Sequence, residues 1–406
     1  MQPIVKFEKI LEDFSSNEHF VYSKADLRNL LPFITDSNKN MILSRCVSKH
    51  ILTRVCKGVY VFAKVETEKS TVLYRTAAKL RAGCMSYISL ETVLCEHSII
   101  SQQMPSYLTI MLAKPFIKWV GGKSQLLDEI REKYPSRIEK YCEPFVGGGA
   151  VLFDVLQKSH PKQVLINDIN AELINTYSQI KNNCHKLIEQ LFEIQNLYKN
   201  NTLAENKEFF YNKRNRYNEL KVNVNEFENL EKAALFIFLN KTCFNGLYRV
   251  NSKGLFNVPF NNAKNPLLCD RENLLACSEL LQNVEMKVGD YKECKSFIDK
   301  KTFVYIDPPY RPLTQTAAFT SYSENGFSDK EQIELGDFIK EISAKGAKIV
   351  ASNSDPKNAD INDNFFDDLY SNFEIERVSA SRMVNSDAKK RGAINELLIS
   401  NIASVF

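Results

Sequence analysis

The sequence lacks the long apolar runs, paired cysteines and basic leader that mark several protein classes. Its longest apolar run is the seven residues Ala233–Leu239, against the roughly 18 needed to cross a bilayer, so no membrane contact is expected. The N-terminus carries acidic residues instead of the basic-then-apolar order of a secretory signal. None of the ten cysteines forms a CxxC pair. We therefore expect reduced, mostly buried thiols and a cytoplasmic location.

Histidine is also scarce, and the five histidines are scattered along the chain. Without a ligand-spaced group of histidine and cysteine, no metal site is expected. The remaining composition, 44% hydrophobic and 25% charged, is typical of a packed globular protein and excludes a disordered or fibrous one. A length of 406 residues is enough for two or three domains.

The net charge of +4 is unevenly distributed. Residues 1–114 hold 15 basic and 10 acidic residues, and residues 206–265 hold 10 basic and five acidic ones with no aspartate. Two basic blocks beside a nearly neutral remainder favour a polyanionic partner. Lysine-rich, solvated helix faces explain the same excess equally well.

Residues 1–112 are predicted to form a small domain of the winged helix-turn-helix type. Helical spacing covers Val5–Phe14, a serine-capped helix begins at Ser23 and ends at Pro32, and another helix begins at Ser37. The alternating pattern that follows, TRVCKGVYVFA, predicts a β-hairpin. Domains of this shape bind DNA with their second helix or mediate protein contacts.

This segment resembles the N-terminal winged-helix domain of abortive-infection-type antitoxins and related transcriptional regulators. The resemblance rests on SKADLRNLLP, LTRVCKGVYVF and YISLETVLCEHSIIS, of which the last is predicted to contain a helix. It implies a DNA-binding or regulatory module. The change of pattern after this segment indicates a fusion to another type of protein.

Residues 115–406 alternate short apolar strands with helices, the pattern of an α/β domain. Strands are predicted within QVLINDIN, TFVYIDPPY, AKIVASNSD and INELLISN, which favours an open, mostly parallel sheet with helices on both faces. Residues 174–262 interrupt this alternation with a long, polar, basic and mostly helical stretch. We interpret that stretch as a recognition insert.

Three consecutive glycines, Gly147–Gly149, lie between an apolar stretch and a helix in CEPFVGGGAVLFDVL. They predict a tight strand-to-helix turn whose free amides face a ligand. The spacing is not that of the dinucleotide-binding fingerprint, and no lysine followed by serine or threonine closes this loop, so a P-loop is disfavoured. A weaker motif, FIKWVGGKSQLL, carries Trp119 as a flat apolar face and Lys123 as a group able to bind a carboxylate.

Two aspartates that follow apolar runs are candidate ligand-binding acids. Asp168 ends the strand VLIND, where a carboxylate accepts both hydroxyls of a ribose; capping of the next helix explains it equally well. Asp290 and Tyr291 follow VEMKV, where the carboxylate would bind an adenine amino group and the ring would stack on it. An exposed turn aspartate is the simpler alternative at that position.

The tetrapeptide DPPY, Asp307–Tyr310, follows the apolar strand TFVYI. An exocyclic aromatic amine is a poor nucleophile because its lone pair is delocalised into the ring. Hydrogen bonds from its two hydrogens to the Asp307 carboxylate and the Pro308 carbonyl favour the pyramidal, more nucleophilic nitrogen. The paired prolines fix the backbone so that this carbonyl points into a pocket, and Tyr310 stacks on the base. A surface turn is the alternative.

In this order, the motifs strongly resemble the alpha group of Dam-type DNA adenine-N6 methyltransferases. The resemblance covers residues 115–406 and includes KTCFNGLYRVNSKGLFNVPF, ASNSD and KKRGAINELLISN. It implies a Rossmann-like methyltransferase sheet, S-adenosylmethionine as cofactor and double-stranded DNA as substrate. Direct transfer to a flipped adenine requires neither a covalent intermediate nor a metal.

The resemblance also implies roles for individual residues. The catalytic positions are Asp307, Pro308, Pro309 and Tyr310. The contacts with S-adenosylmethionine are Trp119, Lys123, Phe145, Gly147, Asp168, Asp290 and Asp307.

The segment Phe244–Phe260 is predicted to be a DNA-recognition hairpin, because Asn245-Gly246 and Lys253-Gly254 are turn signals. By resemblance, Phe244 is the wedge that replaces the flipped adenine, at a position where the family usually has tyrosine. Arg249 corresponds to an arginine that reads guanine through two hydrogen bonds. The DNA-recognition positions are Phe244, Asn245, Leu247, Arg249 and Pro259.

GATC is the preferred recognition site, although related enzymes with longer sites share the FNGLYR and FNVPF patterns. Such enzymes usually protect DNA from a cognate restriction endonuclease, and a solitary methylase is the alternative. Methylation of another amine, such as cytosine N4, an RNA adenine or a glutamine side chain, is a second hypothesis. A third is a DNA-binding regulator in which the N-terminal segment is the working part.

Overall fold

The computed structural model describes residues 3–16, 19–32, 34, 36–56, 58–65, 71–72, 75–76, 79, 113–222, 225–311, 327–381 and 393–402. The chain divides into two compact units, Met1–Met111 and Leu112–Phe406.

The described part of the first unit combines short helices with a small antiparallel sheet. In chain order its elements are α1 (Pro3–Phe14), β1 (Val21–Ser23), α2 (Lys24–Asn29), α3 (Asp36–Ser48), β2 (Leu52–Cys56) and β3 (Val59–Phe62). The strand order is β1-β3-β2. Phe7 and Leu11 from α1 pack with Leu27 from α2 and Leu43 from α3 in one buried cluster, so the three helices share a core.

The helices and the hairpin expected in this unit are confirmed, with α2 ending at Asn29 instead of running to Pro32. Ser23 caps α2 as expected: its Oγ accepts from Asp26 N at 3.1 Å, and Ser23 N donates to the Asp26 carboxylate at 2.8 Å. β1 was not predicted, because its three residues run directly into the capped helix. The segment YISLETVLCEHSIIS lies outside the described residues.

The second unit is built on a seven-stranded sheet. Its strands are β4 (Lys140–Glu143), β5 (Gln163–Asp168), β6 (Val284–Val288), β7 (Thr302–Ile306), β8 (Lys348–Ser354), β9 (Glu374–Ser381) and β10 (Ala393–Ser400). They lie in the order β6-β5-β4-β7-β8-β10-β9. The pairs from β6 to β8 are parallel, and β10 is antiparallel to both of its neighbours. The mostly parallel α/β sheet expected from the sequence is confirmed.

The helices of this unit are α4 (Leu127–Glu132), α5 (Ala150–Ser159), α6 (Ala171–Asn200), α7 (Leu203–Val222), α8 (Asn229–Thr242), α9 (Arg271–Leu281), α10 (Asp329–Ala344) and α11 (Phe365–Leu369). The core lies between the sheet and its helices; Leu335 and Ile339 of α10, for example, share a buried cluster with Val304 of β7. The expected start of the insert, at residue 174, falls inside α6. The insert therefore begins as a continuation of the helix that follows β5.

The order of the strands creates a crevice at the carboxyl edge of the sheet. β5 and β6 lie on one side of β4, whereas β7 and β8 lie on the other. Open parallel sheets bind ligands at such a switch point, because the connections on either side leave in opposite directions. The glycine turn follows β4 and the tetrapeptide follows β7, so the fold brings these two motifs to the same crevice.

The eight cysteines in the described part of the chain are free thiols, and all except Cys56 are buried, as expected. No helix in this part is both long and apolar enough to cross a membrane. Nor do its histidine, cysteine, aspartate and glutamate side chains form a group of three or more able to hold a metal ion.

Candidate active site

The three glycines after β4 form the tight strand-to-helix turn expected from the sequence. Gly147 and Gly149 have positive φ angles of 47° and 71°, a conformation in which a Cβ atom is strained. A Cβ atom on Gly147 would lie 2.7 Å from Trp119 Cδ1, and one on Gly149 would overlap the Tyr177 hydroxyl. Glycine is thus required both by the backbone conformation and by the close approach of Trp119 and Tyr177.

Asp168 lies at the end of β5 and faces this turn. Its carboxylate accepts hydrogen bonds from Gly147 N at 3.1 Å and Asn170 N at 2.9 Å. The alternative in which Asp168 caps the next helix is wrong, because the cap of α6 is Asn170, whose Oδ1 accepts from Glu172 N and Leu173 N, both at 3.1 Å. Burial raises the pKa of Asp168 to about 6, against the opposing effect of its hydrogen bonds to backbone amides.

Asp307, which follows β7, is held through both of its carboxylate oxygens. Lys123 Nζ donates to Oδ2 at 2.7 Å, and Ser352 Oγ on β8 donates to Oδ1 at 3.0 Å. The Tyr305 hydroxyl lies 3.0 Å from the same Ser352 Oγ. Burial raises the pKa of Asp307, while the ammonium of Lys123 and the hydroxyl of Ser352 oppose that rise. The lysine therefore favours the ionised carboxylate.

The two prolines differ in how their carbonyl groups are used. Pro309 O accepts a hydrogen bond from Gln332 Nε2 at 3.1 Å, and Asn353 Nδ2 in turn donates to Gln332 Oε1 at 3.1 Å. Among the described residues, none donates a hydrogen bond to Pro308 O. A buried amide network thus fixes the backbone after Pro308 and leaves its carbonyl oxygen available to a ligand.

Tyr310 ends the tetrapeptide beside Lys123, whose Nζ lies 4.8 Å from the centre of the Tyr310 ring. The Tyr310 hydroxyl donates to Glu396 Oε2 on β10 at 2.6 Å. Sequence reasoning missed Ser352, Gln332 and Glu396 as neighbours of the tetrapeptide. The one available signal was a polar residue within an otherwise apolar strand, as in IVASNS and INELLIS.

Phe145 and Asp290 lie on the other side of the crevice. Phe145 packs against Tyr291 and Phe327, with ring centres 5.4 and 6.2 Å apart. Asp290 is exposed after β6, and its side chain accepts from Lys292 N at 2.9 Å. Tyr291, the ring that the sequence suggests as a stacking surface for adenine, is buried and packs against Phe145 and Phe338.

The recognition segment, residues 244–260, folds back on itself through two isolated bridges, Cys243 with Phe260 and Val250 with Phe256. The expected Asn245-Gly246 turn is confirmed, since both residues have positive φ angles, 56° and 66°. Phe244 to Gly246 form a short 3-10 turn. Among the expected DNA-recognition positions, the exposed ones are Phe244, Asn245, Arg249 and Pro259, and Leu247 is half-buried.

Two contacts connect the recognition segment to the loop that carries Trp119. Asn240 Nδ2 donates to Lys118 O and to Gly246 O, both at 2.8 Å. Tyr248 stacks on Trp119 with ring centres 6.1 Å apart. Trp119 also contacts the glycine turn. Its side chain therefore contacts both the recognition segment and the crevice.

The residues around the crevice fit a cationic nucleoside-type methyl donor. Glu143, at the end of β4, is buried; the nearby Asp307 and Asp168 carboxylates add to the effect of burial and raise its pKa well above the ordinary value. The raised pKa favours the neutral form of Glu143, so the carboxylates left to attract a sulfonium at this edge are Asp168 and Asp307, the second of them paired with Lys123. The hydrogen bonds of Asp168 come from backbone amides, so its oxygens keep lone pairs for ribose hydroxyls.

Comparison with known proteins places the chain among DNA methyltransferases. A family model described as D12 class N6 adenine-specific DNA methyltransferase matches residues 119–384. A type II methyltransferase, M.MjaIII, of Methanocaldococcus jannaschii is 46% identical over 297 residues, which cover 72% of this chain and 100% of the relative. A second type II methyltransferase, M1.LlaDCHI of Lactococcus lactis subsp. cremoris, is 38% identical, and the match covers 71% of this chain and 95% of the relative. A DNA adenine methylase of Haemophilus influenzae is 34% identical, and the match covers 70% of this chain and 92% of the relative.

Proposed function

Because the chain belongs to the D12 class N6 adenine-specific DNA methyltransferase family, we propose that it methylates N6 of a flipped adenine in the duplex site GATC. Adenine specificity and the use of S-adenosylmethionine as methyl donor follow from the family and its relatives. The observation that carries the proposed site is the position of Asp307: its carboxylate is fixed by Lys123 and Ser352 next to a Pro308 carbonyl that the described residues leave unbonded.

In this proposal Asp307 and Pro308 act on the target amine. The carboxylate and the carbonyl accept the two N6 hydrogens, which favours a pyramidal nitrogen with its lone pair available for attack. Lys123 keeps Asp307 ionised, and the network of Gln332 and Asn353 holds the prolines rigid. S-adenosylmethionine supplies an already activated methyl group, so positioning is the main task of the protein.

The residues that would hold the donor surround the glycine turn. Asp168 would accept hydrogen bonds from the ribose hydroxyls. Gly147 has no side chain and so leaves space for the donor at the turn, and Trp119 lies against one side of that turn. Phe145 and the exposed Asp290 would contact the remaining parts of the donor. Lys123 and Asp307 form the boundary with the target base.

One prediction concerns the pH dependence of donor binding. The Asp168 pKa of about 6 means that this acid takes up a proton as the pH falls through that value, which removes lone pairs needed by the ribose. At one pH unit below the pKa, roughly a tenth of the carboxyl groups are ionised, so the donor Kd is expected to rise by up to about tenfold. The fluorescence of Trp119, the only tryptophan, measures this affinity between pH 8 and pH 5. The variant Asp168→Asn should bind weakly without this pH dependence, and a flat wild-type profile would contradict the assigned role.

The exposed residues of the recognition segment support sequence-specific DNA binding. Phe244 is 50% exposed, as a wedge that enters the base stack must be. Arg249 is exposed, and its Nε donates to Asn257 Oδ1 at 2.8 Å, so the guanidinium is oriented yet retains donors for a guanine edge. Asn245, Leu247 and Pro259 lie on the same segment and would contact the neighbouring bases. GATC is preferred because these residues match the GATC-recognising branch of the family.

Arg249→Ala is expected to relax the sequence specificity. A bidentate contact with guanine contributes about 1–3 kcal/mol, so discrimination between GATC and a site with its guanine replaced should fall about 5- to 150-fold. The measurement is kcat/KM on the two duplexes. Lys253→Ala, on the same segment, removes an equal charge and should affect both duplexes alike. Unchanged discrimination in Arg249→Ala would show that the base is read by another residue.

Two of the relatives bear names of type II methyltransferases, which supports a role in restriction-modification beside a cognate endonuclease. The first unit supports a second role. Its α1-β1-α2-α3-β2-β3 order and the basic excess of residues 1–114 favour a winged-helix domain that binds DNA. A regulator fused to a methyltransferase is the second candidate function on that ground.

Purified protein incubated with labelled S-adenosylmethionine and with GATC duplex, a scrambled duplex, RNA and protein tests the proposed function. Label in the GATC duplex alone, found as N6-methyladenine, is the expected result. Sequencing of modified bases in DNA from expressing cells would identify the site directly. Label in another DNA site would overturn GATC, and label confined to RNA or protein would overturn the proposed substrate.

A further inference from the structure

We propose that Glu396 is a positioning residue for methyl transfer, holding the Tyr310 ring in the orientation that receives the flipped base. The inference rests on the proposed role of Tyr310 as the stacking surface. Among the described residues, the Glu396 carboxylate has polar contacts with the Tyr310 hydroxyl and with Lys123.

Three contacts define this arrangement. The Tyr310 hydroxyl donates to Glu396 Oε2 at 2.6 Å. Lys123 Nζ lies 4.0 Å from the same oxygen and 2.7 Å from Asp307 Oδ2. Since Lys123 also lies 4.8 Å from the centre of the Tyr310 ring, one buried cation connects both carboxylates and the aromatic ring.

The position of Glu396 in the sheet shows that it is not an ordinary solvent-exposed carboxylate. It lies on β10, paired opposite Ser354 on β8 and Val378 on β9, and its side chain is only 15% exposed. The next three residues, Leu397, Leu398 and Ile399, are buried. A carboxylate in such a place is costly unless it is paired and hydrogen-bonded, and its partners here are a proposed catalytic tyrosine and the lysine of Asp307.

The hydroxyl contact matters because a tyrosine ring is otherwise held only by packing. Fixing the far end of the ring removes rotation of the side chain and sets the plane on which a base stacks. Lys123 Nζ lies over one face of the ring, so in this proposal the base stacks on the opposite face. Loss of the Glu396 acceptor is therefore expected to misplace the base more than to weaken donor binding.

The test compares substitutions of similar size that differ in hydrogen bonding. Glu396→Met removes the acceptor, whereas Glu396→Gln keeps one through its amide oxygen. We expect Glu396→Met to lower kcat about 10- to 100-fold, the size of effect typical of a misplaced reacting group, with an unchanged donor Kd. Glu396→Gln should recover most of that loss. Glu376→Met on β9, whose carboxylate pairs with Lys133, is the matched control and should retain the wild-type rate.

A double-mutant cycle with Tyr310→Phe separates positioning from a structural role. If Glu396 acts through the tyrosine hydroxyl, Glu396→Met should have little further effect once that hydroxyl is absent. Additive losses, or a wild-type rate in Glu396→Met, would overturn the inference. Asp307→Ala is measured in parallel: activity in that variant would refute the proposed function itself, whereas an inactive Asp307→Ala beside an active Glu396→Met would refute the role of Glu396 alone.

Discussion

Asp307→Asn is expected to lower the rate of methyl transfer by about 10²- to 10⁴-fold, the range found when a fixed acceptor at the reacting atom is removed. The substitution preserves the shape of the side chain but removes its charge and one of its two acceptor oxygens. The single amide oxygen would have to serve both Lys123 and the target amine, because Lys123 and Ser352 each donate to a separate oxygen of Asp307. Asp307→Ala removes the acceptor entirely and should lose at least as much activity.

Single-turnover methylation at saturating donor and duplex measures this loss. The affinity for DNA should be retained, because the recognition segment is untouched. Asp360→Asn, a change at an exposed aspartate, is the control and should leave the rate unaltered. A rate in Asp307→Asn close to that of the wild type would show that N6 is held by other groups.

Lys123→Met is expected to make methylation depend on a higher pH. Burial raises the pKa of Asp307, and Lys123 opposes that rise, so removal of the ammonium raises the pKa further. In the proposed mechanism the transfer uses the ionised carboxylate, which is lost as the pH falls through that pKa. The acid limb of the rate profile should therefore move to higher pH by about one unit or more, the size of shift that follows loss of an adjacent opposite charge, and the loss of activity should be largest on that limb.

The measurement is kcat as a function of pH at saturating donor, because a change in donor affinity does not affect the rate under that condition. Raising the pH should restore part of the activity of Lys123→Met. Lys162→Met, at an exposed lysine before β5, should reproduce the wild-type profile. Coincident acid limbs in Lys123→Met and the wild type would contradict the role of Lys123 as the counter-ion of Asp307.

The sequence was informative about this site where a motif ended an apolar strand. The glycine turn follows KYCE and the tetrapeptide follows TFVYI, and parallel strands place their carboxyl ends at one edge. The two motifs therefore lie close together if their strands are neighbours, as β4 and β7 are. The same reasoning placed Asp168 at the end of β5, and the start of α6 at Ala171, with Asn170 as its cap, was needed to exclude helix capping by Asp168.

Other features depended on contacts between distant residues, which no local pattern identifies. Glu396 and Tyr310 are 86 residues apart, and nothing in INELLIS indicates which side chain its glutamate meets. Tyr291 appeared available for stacking because it follows a strand, yet the packing of Phe145 and Phe338 buries it. The expected start of the insert, residue 174, lies inside α6, which runs from Ala171 to Asn200, so no end of a helix or strand marks that position.

A crystal structure of the protein with a GATC duplex and an unreactive donor analogue tests the central claim most directly. The predicted result is an extrahelical adenine whose N6 lies about 3 Å from both the Asp307 carboxylate and the Pro308 carbonyl oxygen, within hydrogen-bonding distance. An adenine amine held by other residues, or a donor analogue bound away from the glycine turn and the tetrapeptide, would contradict it.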